Sequence, residues 1–525
     1  MTNPHIKKTA ADLPLTFLNN KPYSDSGEAP AGAPDWIWDI DHPYLHGLFA
    51  PVDSECSADS LDVEFGEIPK DLDGMYVING PCARFKPKTK YHYFDGDGML
   101  NAITFTDGSA RYDSKWIETY AFNEEAKQDK NVWPGLCGPF DYTLPHSPIK
   151  DSSNTDVIFY GGSLLSLWYL AGVPYRIDPT SLKTEGPENF DGKLDHALSA
   201  HSKVDVRTGE LMFFNYQNKE PYMSYGVANA QGELLFDIPI DVPGPRSPHD
   251  LGITPNYSIL HDLPFFHDTE ILAKHGKRVV TFHPDIPARF GIIPRHGKSE
   301  DIRWFEAEPC YVLHVINCWE EGDEVLMYGC RQPNPGSRRD KKEGGLSSQL
   351  DERRRVHQLH EWRFNLKTGE TKERMLSDLN TEFPSINTLY LGVKSRFAYL
   401  QYIPLAAAEH KLGDDLAGRM QTFDALIKYD LHDGRYQRYD YGDGVSGSES
   451  HFAPKAGAGF DSIEDDGYVL TFTHDSRDWT SRCLIFDARD IESGPIAVIK
   501  MPRRFNVGFH GAWVQGDDLR KGGLA

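Results

Sequence analysis

The sequence predicts an all-β protein, and three observations carry that reading. From about residue 60 onward, short runs rich in β-branched and aromatic residues alternate with turns. The clearest are Val157-Ile-Phe-Tyr160 before Gly161-Gly162, Tyr311 to Trp319 before Glu321-Gly322-Asp323, Ala425 to Tyr429, Tyr468 to Phe472, Leu484-Ile485-Phe486 and Ile496 to Ile499. A local pattern then recurs, an alternating strand ending at Asp or Asn followed by a turn with Gly. It occurs as Val204-Asp-Val-Arg-Thr-Gly209, Phe364-Asn-Leu-Lys-Thr-Gly369 and Tyr429-Asp-Leu-His-Asp-Gly434. These read as β-hairpins, and their repetition suggests the blades of a propeller. The period is irregular, so a pair of β-sandwiches is the rival architecture. Thirdly, helical periodicity is scarce, with Leu405 to Phe423 the best candidate helix.

Length and composition set the bounds. A chain of 525 residues with 39% hydrophobic and 12% aromatic residues builds either several domains or one large repetitive β-fold. The formal net charge is −23, from 55 basic against 78 acidic residues. A field of that sign repels phosphate backbones and anionic lipid, which argues against nucleic acid as a partner. The seven cysteines, scattered from Cys56 to Cys483, contain no C-x-x-C pair. Neither a disulfide framework nor a thiolate zinc site is therefore expected. Met1 to Asn20 has no apolar segment of the signal-peptide kind, and no long apolar run occurs elsewhere. The expectation is a soluble cytoplasmic protein, with peripheral membrane contact left open and the oligomeric state not legible.

Residues 1–45 are mostly polar, include Glu28-Ala-Pro-Ala-Gly-Ala-Pro34, and read as a mobile or draped arm rather than a domain. Residues 46–525 read as one propeller domain. Arg331 to Arg355, with mixed charges and little apolar content, is expected to be an exposed insertion.

Four of the 21 histidines sit in or beside strand-like runs. His201 closes the polar stretch Leu194 to Ala200, and the turn Arg207-Thr208-Gly209 then leads into the β-forming run Leu211 to Tyr216. His249 stands in Arg246-Ser-Pro-His-Asp-Leu-Gly-Ile-Thr254, and His314 in Cys310-Tyr-Val-Leu-His-Val-Ile-Asn-Cys-Trp319. His510 separates Phe505-Asn-Val-Gly-Phe509 from Gly511-Ala-Trp513. Their spacings of 48, 65 and 196 residues match no local metal motif such as H-E-x-x-H. Only a fold whose strands converge would bring them together. Taken singly, each reads more readily as a buried histidine hydrogen-bonded to backbone than as a ligand. No G-x-G-x-x-G follows a strand and no P-loop is present. Gly96 and Gly98 stand beside aspartates, which suit a tight turn rather than a phosphate.

Eight short blocks follow one another in a recognisable order. They are Gly47-Leu-Phe-Ala-Pro-Val52, Val77-Ile-Asn-Gly-Pro81, Tyr91-His-Tyr-Phe-Asp-Gly-Asp-Gly-Met99, Trp362-Arg-Phe-Asn-Leu366, Glu382-Phe-Pro-Ser-Ile386, Phe452-Ala-Pro-Lys455, Asp465-Asp-Gly-Tyr468 and Phe509-His510-Gly511. In these blocks, over roughly residues 45–515, the chain resembles the carotenoid cleavage oxygenase family. The resemblance implies a seven-bladed β-propeller, with a few helices and loops forming a cap over an axial metal site. It puts the family's four iron-binding histidines, through which catalysis runs, on His201, His249, His314 and His510, with Fe(2+) as the only cofactor. Of the three glutamates that orient ligand rings in the family, two fall on Glu382 and Glu449. The third position, just after Leu164-Leu165-Ser-Leu-Trp168, falls on Tyr169. That departure implies a weaker or differently tuned iron site.

The implied reaction is cleavage of a conjugated C=C bond by O2 to give two carbonyl products. Four neutral imidazoles leave Fe(II) its full charge, and carboxylates hold each ring in one tautomer. The alkene supplies the electrons, so no nicotinamide, flavin or 2-oxoacid is required. In the family's stilbene-cleaving members a Tyr and a Lys bind the substrate phenol. Here the Tyr position falls on Cys137 or Phe140 and the Lys position on Trp168, none of which pairs with a phenolate as Lys would. An apocarotenoid or similar polyene is therefore expected, with a small aromatic alkene as the alternative. Cys137, Phe140 and Trp168 are expected to wall the substrate pocket, with plain core packing as the competing role. Leu260-His-Asp-Leu-Pro-Phe-Phe266 reads more readily as a buried strand than as part of an apolar entrance patch. The rival readings are a non-catalytic binding propeller and an isomerohydrolase of the same fold.

Overall fold

The recurrent Asx–Gly stretches each close a hairpin. In the first, the Asp205 carboxylate accepts the Arg207 N–H at 2.9 Å, and the Gly209 N–H donates to the Asp205 carbonyl at 2.7 Å. Gly209 sits at φ +74°, a left-handed conformation that only glycine adopts without strain. Asn365 with Gly369 and Asp430 with Gly434 repeat the arrangement. One turn chemistry, used three times, thus sets the register of three hairpins.

In the computed structural model, residues 32–40, 43–89, 91–136, 138–170, 172–276, 278–335, 356–404 and 422–522 are described. They form seven antiparallel sheets of four or five strands, plus a two-stranded pair, Phe265–His267 with Val280–Phe282. The seven sheets are the blades of a β-propeller. Their inner strands are Asp156–Tyr160, Lys203–Val204, Gly252–Ile253, Tyr311–Glu321, Thr381–Ser385, Val445–Pro454 and Gly511–Gln515. Neighbouring inner strands touch around most of the axis, from Gly252–Ile253 on through Gly511–Gln515 and Asp156–Tyr160 to Lys203–Val204. The sandwich alternative is thereby excluded.

The ring is closed twice. The last strand, Gly511–Gln515, pairs antiparallel with the early strand Gly74–Cys82. The early strand Asp62–Gly66 pairs with Ala497–Lys500. Closure of this kind ties the first and last blades together, while each blade keeps a short outer edge strand. Apolar layers between neighbouring blades hold the ring. Tyr76, Ile103 and Tyr112 of one blade pack with Leu470, Phe472 and Ile485 of the next, for example.

Several expectations need adjustment. Arg331 and Gln332 belong to the strand Glu324–Gln332, so the polar insertion starts later than its composition suggests. The rest of it from residue 336, and Leu405 to Gln421 of the expected helix, lie outside the described residues. Of the N-terminal arm, Ile37, Tyr44 and Leu45 are buried, because the chain wraps its few apolar side chains onto Tyr93 and Phe509. Leu260 to Phe266 needs no adjustment: it is the buried strand and turn expected of it, with Leu260, Leu263 and Phe265 in the core and Phe266 under the Arg246 guanidinium. A helix the sequence reading passed over, Tyr120–Gln128, is capped by the Thr119 hydroxyl, which accepts the Phe122 N–H. The Gly96–Gly98 segment is a tight passage. Gly98 runs against the backbone of Ser152 and Ser153, while Asp97 pairs with buried Lys150.

Candidate metal centre

His201, His249, His314 and His510 meet on the propeller axis. All four are buried, and one ligand-type atom from each lies within 4.8 Å of the others. Nε2 of His201 stands 3.1 Å from Nε2 of His249. Three of the four rings are bound at Nδ1 by a carboxylate: His314 by Glu382 at 2.5 Å, His510 by Glu449 at 2.9 Å and His201 by Asp156 at 2.9 Å. Engaging Nδ1 leaves Nε2 for the centre, and the His314 Nε2 is buried without a hydrogen-bond partner.

Local backbone irregularities aim these side chains. His314, Glu382 and Glu449 each lie at a register shift in their strand. Such bulges turn a side chain away from the ladder and toward a site. His201 has φ +61° and Phe383 φ +52°, left-handed conformations that cost of order 1–3 kcal/mol each and are kept where the surroundings fix them. His510 is held by its backbone, its carbonyl accepting the Asn79 N–H at 2.8 Å.

Burial dominates the electrostatics at the centre. Burial holds His201 well below the ordinary imidazole range, and the other three rings add to the effect. Burial does the same to His314. Burial also pushes the Glu382 carboxyl up to about 7 and Asp156 to about 6. The last pair behaves differently. Burial opposes charge on His510, yet Glu449 holds it above its usual range. Burial would raise Glu449, yet His510 and His451 hold it well below the carboxylate range. Glu449 carries more than one task, since its second oxygen also accepts the Gly511 N–H and meets His451.

These residues fit a divalent ion. Imidazole nitrogens lie about 2.1 Å from a first-row metal, so two on perpendicular bonds stand about 3 Å apart, close to the His201–His249 separation. The donor set is imidazole throughout, which suits iron, copper, nickel or zinc over magnesium or calcium. A cation here would also reverse the burial penalty on the three carboxylates.

Around the tetrad lies an aromatic group. Phe383 stacks on His510 with ring centroids 4.7 Å apart and also faces His314 at 5.2 Å. Phe94 packs edge-on against Phe509 and Tyr169, and Tyr169 lies 6.1 Å from the His249 ring. A cavity of about 600 Å³ reaches the centre past Asp156, Lys203 and Asp250, and none of these four aromatics lines it.

Of the anticipated residues, the structure brings together the four histidines, Glu382 and Glu449, and sets Tyr169 beside His249. Trp168 is buried next to Tyr169, and its carbonyl accepts the Ala200 N–H just before His201. Phe140 is half-buried on a loop against Gly276. Cys137 lies outside the described residues. Sequence reasoning missed Asp156, Phe94, Phe383 and Phe509. The last three stand inside or beside blocks already singled out, at positions 91–99, 382–386 and 509–511.

Comparison with known proteins agrees with this architecture. Residues 49–515 match the family model described as retinal pigment epithelial membrane protein. The chain is 33% identical over 515 residues to carotenoid 9,10(9',10')-cleavage dioxygenase 1 of Phaseolus vulgaris, covering 92% of this chain and 91% of that one. It is 29% identical to isoeugenol monooxygenase of Pseudomonas nitroreducens, covering 90% and 98% of the two chains. The crystal structure of Pseudomonas brassicacearum lignostilbene dioxygenase superposes with a TM-score of 0.79 at 25% identity, over 90% of this chain and 98% of that one. With its closed propeller, its axial histidine tetrad and these relatives, the chain belongs to the carotenoid cleavage oxygenase family.

Proposed function

We propose that this protein is a non-haem Fe(II) dioxygenase that cleaves a conjugated C=C bond of an apolar substrate, most readily an apocarotenoid or similar polyene. The observation that carries the proposal is the buried tetrad of His201, His249, His314 and His510, with three of its rings fixed at Nδ1 by carboxylates. These four side chains would hold the iron. Ferrous iron supplies the redox chemistry that lets dioxygen react with the alkene. In the balanced reaction the C=C bond breaks and one oxygen atom enters each carbonyl, so no external reductant is consumed.

The rest of the chemistry belongs to the chain. Glu382, Glu449 and Asp156 keep three rings in one tautomer, with Nε2 turned inward. Phe94, Phe383 and Phe509 form an apolar group beside the histidines, on a side that the cavity of about 600 Å³ does not line, and such a surface would suit a conjugated chain and keep water out. Trp168 in place of a cation favours a substrate without a phenolate, and Phe140 and Cys137 are proposed as outer wall. No helix among the described residues is long and apolar enough to cross a membrane. A cytoplasmic setting is part of the proposal, supported by six cysteines that are free among the described residues. Delivery of an apolar substrate by peripheral membrane contact belongs to the same proposal.

One observation favours the aromatic-alkene reading. The Arg278 guanidinium lies 3.4 Å from the Tyr169 hydroxyl, beside His249, and this pair could receive a phenolic oxygen. Oxygen uptake decides between the readings. Iron-loaded protein is expected to consume one O2 per aldehyde pair formed from an apocarotenal, and less with a propenylphenol. Uptake confined to the propenylphenol would replace the polyene reading, and uptake with neither would end both.

A further inference from the structure

Each blade contributes one histidine or carboxylate to the tetrad or to the groups that hold its rings, from its inner strand or from the residues just before it. In chain order these are Asp156, His201, His249, His314, Glu382, Glu449 and His510. Six of the seven belong to the anticipated set. The seventh, Asp156, opens the strand Asp156–Tyr160. Tyr169 follows the second strand of that same blade, Ser163–Leu167, in which Leu167 pairs with Asp156. The blade that has tyrosine at the expected carboxylate position therefore carries a carboxylate on its neighbouring strand.

We infer that Asp156 is the third ring-positioning carboxylate of this centre, acting on His201, and that it offsets the carboxylate missing at Tyr169. The inference rests on the metal-centre reading above. Geometry supports it in three ways. Asp156 Oδ2 lies 2.9 Å from His201 Nδ1, with both side chains under 10% exposed. The other carboxylate oxygen accepts the Val157 N–H at 2.7 Å, which fixes the head group. The backbone at this point is tied on several sides: the Asp156 carbonyl accepts from Asn79, and the Thr155 carbonyl accepts the His510 N–H. The Thr155 hydroxyl accepts the Tyr169 N–H at 3.1 Å, so positions 156 and 169 are held by one stretch of chain. Lys203 does not need Asp156 as counter-ion, because it pairs with Asp250 at 2.7 Å. Tyr169, neutral near pH 7, contributes no charge. With Asp156 the centre has three carboxylates to set against a divalent ion, one of them on a different ring from the one beside Tyr169.

The test uses Co(II) as an air-stable probe of the full-length protein, read by calorimetry and by its visible ligand-field absorption. Asp156→Ala is expected to weaken Co(II) binding about 10- to 100-fold and to change the absorption bands. Asp156→Asn, whose amide oxygen still accepts the Nδ1–H, is expected to recover part of both. Tyr169→Glu alone is expected to shift the affinity by less than about threefold. Wild-type affinity and spectrum in Asp156→Ala would overturn the inference, as would a tenfold gain in Tyr169→Glu. If Asp156→Ala does not fold, Asp156→Asn decides: a weakened, altered site supports the role, and an unaltered one ends it. Failure of the wild-type protein to bind Co(II) would count against the metal-centre reading itself, which separates the two failures.

Discussion

Nε2 of His201 and Nε2 of His249 stand 3.1 Å apart on the propeller axis, although 48 residues separate them in the chain. At that distance the two nitrogens can share a hydrogen bond, but the convergence of four buried rings is accounted for by a metal held among them. Anaerobic addition of Fe(II) is therefore expected to raise the melting temperature, by the equivalent of about 2.7 kcal/mol at a hundredfold excess over Kd. A chelator should reverse the rise. His249→Ala should show neither the rise nor oxygen uptake, and a full thermal shift in that variant would remove His249 from the centre.

Glu382 and Glu449 should fail differently. Glu382 binds His314 and its own neighbour, the Phe383 N–H, so Glu382→Gln should lower metal affinity about 10-fold or more with little loss of stability. Glu449 also holds the Gly511 N–H and His451, where the closing strand begins. Glu449→Gln should lower both metal affinity and the melting temperature of the metal-free protein, the latter through about 1–3 kcal/mol of lost charge-assisted bonding. Calorimetry of the metal-free variants separates the two. Equal melting temperatures would contradict the structural task given to Glu449.

Phe383 combines a left-handed backbone with a ring stacked on His510. Phe383→Ala should raise KM for a polyene several-fold and leave bound metal unchanged. Loss of the metal instead would mean that the ring supports the centre rather than the substrate.

Tyr169→Phe removes the hydroxyl near Arg278. Turnover of a polyene should be unaffected, whereas turnover of a phenolic alkene should fall. A loss with the polyene would show that the hydroxyl serves the centre directly.

Two buried histidines away from the site set an acid limit on stability. Burial holds His261 and His474 at about 3. Below the unfolded value of about 6.5 the unfolded chain binds these protons and the folded chain does not, so stability falls as pH drops from about 6.5 toward 3. Each histidine contributes a slope of about 1.4 kcal/mol per pH unit within that window. His474→Asn should unfold with one proton fewer across it, measured by denaturant titration from pH 6.5 to 4. An unchanged slope would mean that His474 is protonated in the folded protein.

The parts legible in the sequence were those with a local chemical signature. The Asx–Gly turns announced hairpins because side-chain acceptors and a left-handed glycine are needed at fixed offsets. His314 and His510 stood out by their apolar flanks, and Glu382 by its Glu-Phe-Pro block. Asp156 left no such trace. It is an acidic residue before a β-run, indistinguishable in sequence from the many aspartates that close loops, and only the packing of its blade against the next one carries it to His201. Phe94 and Phe509 were within reach, since both adjoin recognised blocks, but their meeting depends on the early and late strands sharing one blade. Which residues anchor the draped end of the arm is not legible, because Ile37, Tyr44 and Leu45 are too few to give a periodic signal.

Iron content tests the central claim most directly. Protein expressed with iron and purified without oxygen should contain about one Fe per chain, and His201→Ala, His314→Ala and His510→Ala should each contain almost none while keeping their β-sheet spectrum. Folded wild-type protein free of iron, or folded histidine variants that retain it, would contradict the assignment of His201, His249, His314 and His510 as the iron-binding centre.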